Sequence, residues 1–210
     1  RPLLAYLSLL CLGFAGIATA QDEKPNLLFI FADDQCFSTI RALGNDEIET
    51  PNLDRLVAKG TTFTHAYNMG SWSGAVCVAS RTMLNTGMYI WRANKAKLPE
   101  LQEKGQLWSQ LMGSAGYDTY FTGKWHVKAK PEEIFSTARN VRGGMPNQTP
   151  EGYNRPIDDQ PDPWSPYDPK FEGFWRGGKH WSEVVGDDGV DFLSTAGKAK
   201  KPFFLHVSRV

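Results

Sequence analysis

The strongest constraint on the fold is a continuous apolar run, Asn26–Ala32, which stops abruptly at Asp33-Asp34-Gln35. The run is too short and too rich in β-forming residues for a helix, and its unbroken hydrophobicity predicts a strand buried on both faces of a parallel sheet. Ligands of open α/β sheets bind beyond the carboxyl ends of the strands. The adjacent carboxylates Asp33 and Asp34 are therefore well placed to bind a metal ion, with a solvated turn as the alternative.

Helix and strand patterns alternate along most of the chain, which predicts an α/β fold. Thr50 and Pro51 supply a cap and a first-turn proline for one helix, and Gly87 and Gly116 follow the ends of two others. The predicted helices span 51–59, 78–86, 107–115 and, after a Ser182 cap, about 182–194. The predicted strands are 26–32, 61–67, 117–122 and 202–208.

The stretch from about 128 to 181 does not follow this alternation. Eight of the thirteen prolines lie between Pro131 and Pro169, and we expect no core from that segment. Its aromatic residues favour an ordered binding insert over a disordered loop. These residues are Tyr153, Trp164, Tyr167, Phe171, Phe174 and Trp175.

The first twenty residues have the pattern of an export signal. Leu3–Ala18 is almost entirely apolar, and Ala18-Thr19-Ala20 forms a small-x-small cleavage pattern before Gln21. The stretch falls short of the ~20 apolar residues that a spanning helix needs. We therefore expect residues 1–20 to be a signal peptide, incomplete at its start because Arg1 stands where a Met is expected. The protein is expected to be exported, to the periplasm or the medium, without a membrane anchor.

Charge and cysteine content narrow the function classes. The 23 basic and 23 acidic residues give a formal net charge of zero, which excludes a nucleic-acid binder that works by bulk charge. After signal removal only Cys36 and Cys77 remain, and a bridge between them is possible in an oxidising compartment. Cys77 also lies one helical turn before Arg81, so a helix N-terminus and an arginine could bind an anion there. Simple packing beside a surface charge is the alternative.

Together these motifs resemble those of the type I sulfatases, in the alkaline-phosphatase-like superfamily. The resemblance covers nearly all residues after 20, although Ala79 stands where the family commonly has proline. In chain order, the matching elements are Asp33-Asp34-Gln35, Thr50–Leu56, Cys77-x-Ala79-x-Arg81, Thr86-Gly87, Gly123-Lys124-Trp125-His126 and Pro202–Leu205.

The resemblance implies a central, mostly parallel sheet flanked by helices, of which residues 21–210 form the N-terminal portion. The family's remaining metal ligands, a second catalytic histidine and a second lysine would lie beyond Val210. We therefore expect these 210 residues alone to be inactive and poorly folded.

The resemblance also implies that a formylglycine-generating enzyme oxidises Cys77 to formylglycine, which removes the disulfide alternative. One hydroxyl of the hydrated aldehyde would attack the sulfate sulfur and expel the alcohol. The second hydroxyl would then drive elimination of sulfate and regenerate the aldehyde. Asp33 and Asp34, with the group made from Cys77, would hold a divalent cation, expected to be calcium because the ligands are hard oxygens.

Three more residues take roles through the same resemblance. Arg81 would steady the aldehyde hydrate, and Lys124 would pair with formylglycine or with the sulfate oxygens. His126 would hydrogen-bond the second hydroxyl and assist its deprotonation. No role follows for His65, His180 or His206, the last of which is expected to pack in a buried strand.

The implied function is that of a sulfuric-ester hydrolase acting on a sulfated carbohydrate, because the aromatic insert offers stacking faces for sugar rings. Two alternatives remain open: a phosphonate or phosphate monoester hydrolase of the same superfamily, and a non-catalytic carbohydrate-binding homologue. Cys36 is expected to be a buried free thiol, and the Asn147-Gln148-Thr149 sequon would matter only in a eukaryotic secretory pathway.

Overall fold

Four parallel strands form the centre of the structure, a computed structural model that describes residues 24–143, 156–163 and 179–209. The order across the sheet is β1-β4-β2-β3, and every neighbouring pair is parallel. Parallel strands need long crossovers, and helices occupy them here. The α/β prediction is confirmed. The strands are β1 (Leu27–Ala32), β2 (Asp118–Lys124), β3 (Thr137–Arg142) and β4 (Phe203–Arg209).

Seven α-helices lie in the described ranges, and none is long and apolar enough to cross a membrane. Four of them match predicted helices, whereas α3, α4 and α6 are too short to produce a readable apolar period. The helices are α1 (Pro51–Lys59), α2 (Val76–Thr86), α3 (Ile90–Lys95), α4 (Leu98–Glu103), α5 (Trp108–Ser114), α6 (Pro131–Ile134) and α7 (Trp181–Ala196).

The ends of two helices show how the sequence sets their limits. Gly87 adopts a left-handed φ of 66° and closes α2, as its position in the sequence predicts. The predicted Ser182 cap of α7 is wrong: His180 is the cap, and its Nδ1 accepts a hydrogen bond from the Ser182 backbone amide at 3.1 Å. An imidazole nitrogen can therefore replace the usual hydroxyl or carboxylate.

The core consists of two hydrophobic clusters, one on each face of the sheet. Successive strand residues point to opposite faces, so Phe121 and Phe204 join one cluster while Tyr120 and Leu205 join the other. The first cluster also contains Leu98, Leu107, Trp125, Val127, Ile134 and Phe135. The second is completed mainly by α7, through Trp181, Val184, Val185, Phe192 and Ala196.

Two sequence predictions about strands are wrong. β1 is not buried on both faces, because Leu28 and Ile30 are 49% and 55% exposed while Phe29 packs inward against Trp108. No described helix covers the outer face of β1. Residues 61–67 do not form a strand, because no described strand pairs with them, and their side chains are exposed throughout.

The expectation that no core forms after Pro131 is wrong for the first part of that segment. Ile134 and Phe135 are buried in the first core cluster, and β3 pairs with β2. Prolines there are compatible with structure because Pro131 occupies the first turn of α6. The predicted signal peptide, the sequon and all six aromatic residues of the predicted insert lie outside the described residues.

Candidate active site

The carboxyl ends of three neighbouring strands meet at one edge of the sheet, where the polar side chains predicted from sequence gather. Asp33 follows β1 and Lys124 ends β2, while the first turns of α2 bring Cys77 and Arg81 to the same edge. All four side chains line a cleft of about 670 Å³. Asp34, Gln35, Cys36, Asn68 and Ser80 also line it. Convergence at this edge is what the parallel sheet predicts.

Cys77 and His126 form a close pair at this cleft. The Cys77 Sγ lies 3.1 Å from the His126 Nδ1, within hydrogen-bonding distance for sulfur. Burial lowers the pKa of His126, and the positive charges of Lys124 and Arg81 lower it further. The imidazole is therefore neutral at neutral pH, and it has one ring nitrogen free to accept a proton.

Asp33, which is partly exposed, is the anionic centre of an ion cluster with the buried Arg81 and Lys124. Its Oδ2 accepts hydrogen bonds from Lys124 Nζ at 2.5 Å and from Arg81 Nη2 at 3.0 Å. Burial alone would raise the pKa of Asp33, but the hydrogen bonds and charges of Lys124 and Arg81 outweigh it and lower that pKa. The carboxylate is therefore ionised over the whole neutral range.

Arg81 is only 2% exposed, and several groups contact its guanidinium. Its Nη1 donates to the Lys124 carbonyl oxygen at 2.7 Å and to the Ser208 Oγ at 2.5 Å, and its guanidinium lies over the Phe31 ring at 4.9 Å. Burial lowers the pKa of Arg81, although Asp33 partly offsets this. Sequence reasoning missed Ser208, because a serine inside an apolar strand belongs to no catalytic motif.

Two residues at the cleft have left-handed backbones that side chains rarely adopt. Asp34 has a φ of 59° and His126 a φ of 52°. Such conformations cost free energy and are concentrated at functional sites. Asp34 directly follows Asp33, and His126 lies two positions after Lys124. The left-handed backbone therefore sets the position from which the Asp34 and His126 side chains project.

The predicted metal ligands share one cleft, but they form only part of a metal-binding site. Asp33, Asp34 and Cys77 face the same space, yet within the described residues no three acidic, histidine or cysteine side chains converge on one point. The Asp33 carboxylate is turned toward Arg81 and Lys124 instead. Two carboxylates and the Gln35 amide on one wall fit part of the oxygen shell of a hard divalent cation.

The two cysteines that the structure describes are both free thiols, and no bridge joins them. The prediction of a buried Cys36 is wrong, because its side chain is exposed, with Sγ 4.0 Å from the Asp34 carbonyl oxygen. Cys36 follows the end of β1, where the chain turns outward into solvent instead of back beneath the sheet.

The three other histidines do not line the cleft. His206 is 1% exposed and packs edge-on against Phe29 and Phe121, which confirms the packing prediction. Burial, with a smaller effect of Arg81, lowers its pKa to about 3. His65 is exposed beside Thr64, and His180 caps α7.

Comparisons with known proteins give a consistent result. A family model described as Sulfatase matches residues 25–210. The chain is 27% identical over 215 residues to the N-acetylglucosamine-6-O-sulfatase of Bacteroides thetaiotaomicron, covering 98% of this chain and 34% of the relative. It is 34% identical over 134 residues to human arylsulfatase A, covering 61% of this chain and 25% of that protein. The chain thus spans about a third or less of these two relatives.

Two solved structures share the fold. One is BT4656 in complex with its substrate D-glucosamine-2-N,6-O-disulfate, with a TM-score of 0.59 and 22% identity over 89% of this chain and 34% of that one. The other is Ps i-CgsB in complex with k-i-k-neocarrahexaose, with a TM-score of 0.60 and 22% identity over 89% and 45% of the two chains. At this identity the likeness establishes the architecture and no more.

Proposed function

Because this chain belongs to the sulfatase family, we propose that the whole protein hydrolyses a sulfate ester of a carbohydrate at the cleft beside Cys77. The observation that carries the proposal is the 3.1 Å pairing of Cys77 Sγ with His126 Nδ1, next to the buried cations Arg81 and Lys124. This arrangement joins a reactive position, a proton acceptor and two anion-binding groups. Hydrolysis of a sulfate ester needs all three.

Arg81 and Lys124 supply the positive charge that a sulfate group requires. Both are 2–3% exposed. Because little water surrounds them, their electrostatic attraction for a sulfate group is stronger than it would be in water. Asp33 binds both, which holds their nitrogens at the sheet edge. Preorganised donors of this kind stabilise negative charge on sulfate oxygens without moving during the reaction.

His126 is the proton acceptor in this proposal. Its ring is neutral at neutral pH, since burial and the two neighbouring cations lower its pKa. Its Nδ1 already lies within hydrogen-bonding distance of the atom attached to Cβ of residue 77. A base must be within such reach of the proton that it takes.

Sulfatases generally use a formylglycine and a divalent cation, and we propose both for this protein. A maturation enzyme would convert the Cys77 CH2–SH group to an aldehyde: the sulfur leaves as hydrogen sulfide, an oxygen from water replaces it on Cβ, and two electrons and two protons pass to an acceptor that the enzyme supplies. When present, the formylglycine supplies the hydroxyl that attacks sulfur. Asp33 and Asp34 would hold the cation, expected to be calcium, which polarises a sulfate oxygen.

The substrate class and location are proposed from the relatives and the sequence. The sequence similarity to an N-acetylglucosamine-6-O-sulfatase and the fold shared with a protein solved with a sulfated glucosamine as its substrate support a sulfated sugar. The apolar pattern of residues 3–18 supports export of the protein.

The test uses the full-length protein made together with a formylglycine-generating enzyme. Sulfated amino sugars and the matching phosphate esters are assayed side by side, with Cys77→Ala and Cys36→Ala compared. We expect sulfate release by the unmodified sequence and by Cys36→Ala, and none by Cys77→Ala. Preferred cleavage of the phosphate esters would favour the phosphomonoester alternative, and sugar binding that survives Cys77→Ala without any turnover would favour a non-catalytic homologue.

A further inference from the structure

We infer that Ser208 is a positioning residue that sets the orientation of the Arg81 guanidinium, and this inference rests on the proposed function of Arg81. Ser208 lies on β4, whereas Arg81 projects from α2. The Ser208 Oγ accepts a hydrogen bond from Arg81 Nη1 at 2.5 Å. Both side chains are almost completely shielded from solvent, with exposures of 0% and 2%.

The hydrogen bonds divide the two terminal nitrogens of Arg81 between different tasks. Nη1 donates to the Ser208 Oγ and to the Lys124 carbonyl oxygen, so both of its hydrogens are in use. Nη2 donates to Asp33 Oδ2, which uses one hydrogen and leaves one. Of the two terminal nitrogens, Nη2 therefore has the hydrogen that can meet a sulfate oxygen, while the buried Nε–H has no partner among the described groups.

Ser208 is the side-chain acceptor that makes this division hold. The Lys124 carbonyl satisfies one Nη1 hydrogen and Asp33 holds Nη2, so Ser208 supplies the third contact that fixes the guanidinium plane. The buried Nε–H of Arg81 already has no acceptor among the described groups, so a second hydrogen left without one would be costly here. Without the Ser208 hydroxyl, we expect the guanidinium to turn toward other acceptors and the Nη2 hydrogen to leave its position.

The backbone holds the Ser208 hydroxyl in place. A Cβ at Gly123 would lie 1.8 Å from the Ser208 carbonyl oxygen, so β2 and β4 approach as closely as glycine allows. Ser208 therefore cannot shift along or across the sheet to follow the arginine. A fixed acceptor of this kind orients the donor.

The kinetic test compares Ser208→Ala with Ser109→Ala in full-length, matured protein. Ser109 is 1% exposed, and no described group hydrogen-bonds its hydroxyl, so it controls for the loss of a buried serine oxygen. Ser208→Ala is expected to lower kcat about 10- to 100-fold, with a smaller effect on KM, since small misplacements of catalytic groups have effects of this size. Ser109→Ala is expected to keep the starting kcat.

A double-mutant cycle separates positioning from general destabilisation. In an Arg81→Lys background, the Ser208→Ala change is expected to cost little further activity, because lysine has no Nη1 to orient. An equal loss in both backgrounds would overturn the inference, as would a Ser208→Ala loss no larger than that of Ser109→Ala. Should Ser208→Ala fail to fold, Ser208→Cys fills nearly the same space with a weak acceptor, and the same losses are expected.

A spectroscopic measurement is independent of turnover. With ¹⁵N-labelled arginine, the Arg81 Nη groups are expected to show hindered rotation in the starting protein and faster averaging in Ser208→Ala. If the starting protein releases no sulfate, the proposed function fails, and this measurement still decides the role of Ser208. Unchanged Arg81 signals in Ser208→Ala would contradict it.

Discussion

The Cys77 Sγ and the His126 Nδ1 lie 3.1 Å apart, although 49 positions separate the two residues in the sequence. The first turn of α2 carries one partner, and the turn after β2 carries the other. Their meeting depends on the left-handed backbone of His126, which follows directly from the buried Trp125. The proposed reactive position and its proposed proton acceptor are thus brought together by two separate elements at the same sheet edge.

Replacing His126 by glutamine is expected to lower kcat by about 10²- to 10⁴-fold, the usual contribution of a positioned general base. Glutamine keeps a polar group of similar size but cannot take up a proton. Steady-state kinetics on a sulfated sugar measures the effect. His65→Gln is the matched control, because His65 is exposed outside the cleft. A His126→Gln enzyme with the starting kcat would exclude His126 as the base.

Asp33→Asn is expected to destabilise the fold by about 3–5 kcal/mol, as when one partner of a buried ion pair is removed. The Arg81 and Lys124 side chains are 2% and 3% exposed, so their charges would lose a carboxylate that solvent cannot replace. Urea unfolding of the full-length protein measures the change. Asp34→Asn, at an exposed carboxylate, is expected to have a much smaller effect. Equal losses for the two variants would argue against the ion cluster as a source of stability.

Gly123→Ala is expected to destabilise the protein by more than about 3 kcal/mol, beyond the typical range for single substitutions. The new Cβ would lie 1.8 Å from the Ser208 carbonyl oxygen, and the backbone φ of 102° is strained for any other residue. Gly113→Ala is the control, since Gly113 lies in α5 with open space around it. That change is expected to stabilise by about 0.5–1 kcal/mol. Melting temperatures of the two variants that shift in the same direction would refute the steric argument.

His206→Phe is expected to improve resistance to acid. The pKa of His206 is about 3 in the folded protein, against an ordinary value of 6.5, so below 6.5 the unfolded chain binds a proton that the folded protein does not. Stability is therefore lost as pH falls from 6.5 toward 3, and phenylalanine removes that contribution. Unfolding midpoints measured across this range are expected to fall less steeply for His206→Phe. His65→Phe, at an exposed site, is expected to leave the slope unchanged.

The sequence predicts the parts of the molecule that local rules determine. Pro51 and Gly87 mark helix ends, although the Thr50 side chain makes no capping hydrogen bond to the backbone. The polar residues at the ends of β1 and β2 reach one edge because the strands are parallel. Burial and side-chain partners depend on distant elements, and here the sequence predictions fail. The exposed outer face of β1 is one example, since nothing in its apolar residues says which elements cover them.

The missed site residue has a similar cause. Ser208 accepts a hydrogen bond from Arg81, which lies 127 positions away in the sequence. A serine in a strand gives no local signal of such a partner. The burial of Ile134 and Phe135 was also not predicted, because they lie in a proline-rich segment. The pairing of β3 with β2, which follows them, is a non-local interaction without a local sequence signal.

Maturation of Cys77 is tested most directly by the mass of the tryptic peptide Gly60–Arg81, taken from full-length protein made with a formylglycine-generating enzyme. We expect an aldehyde at position 77, in a protein that releases sulfate from a sulfated sugar. An intact Cys77 thiol in a protein that still releases sulfate would contradict the proposed chemistry, and so would a peptide cross-linked to Cys36.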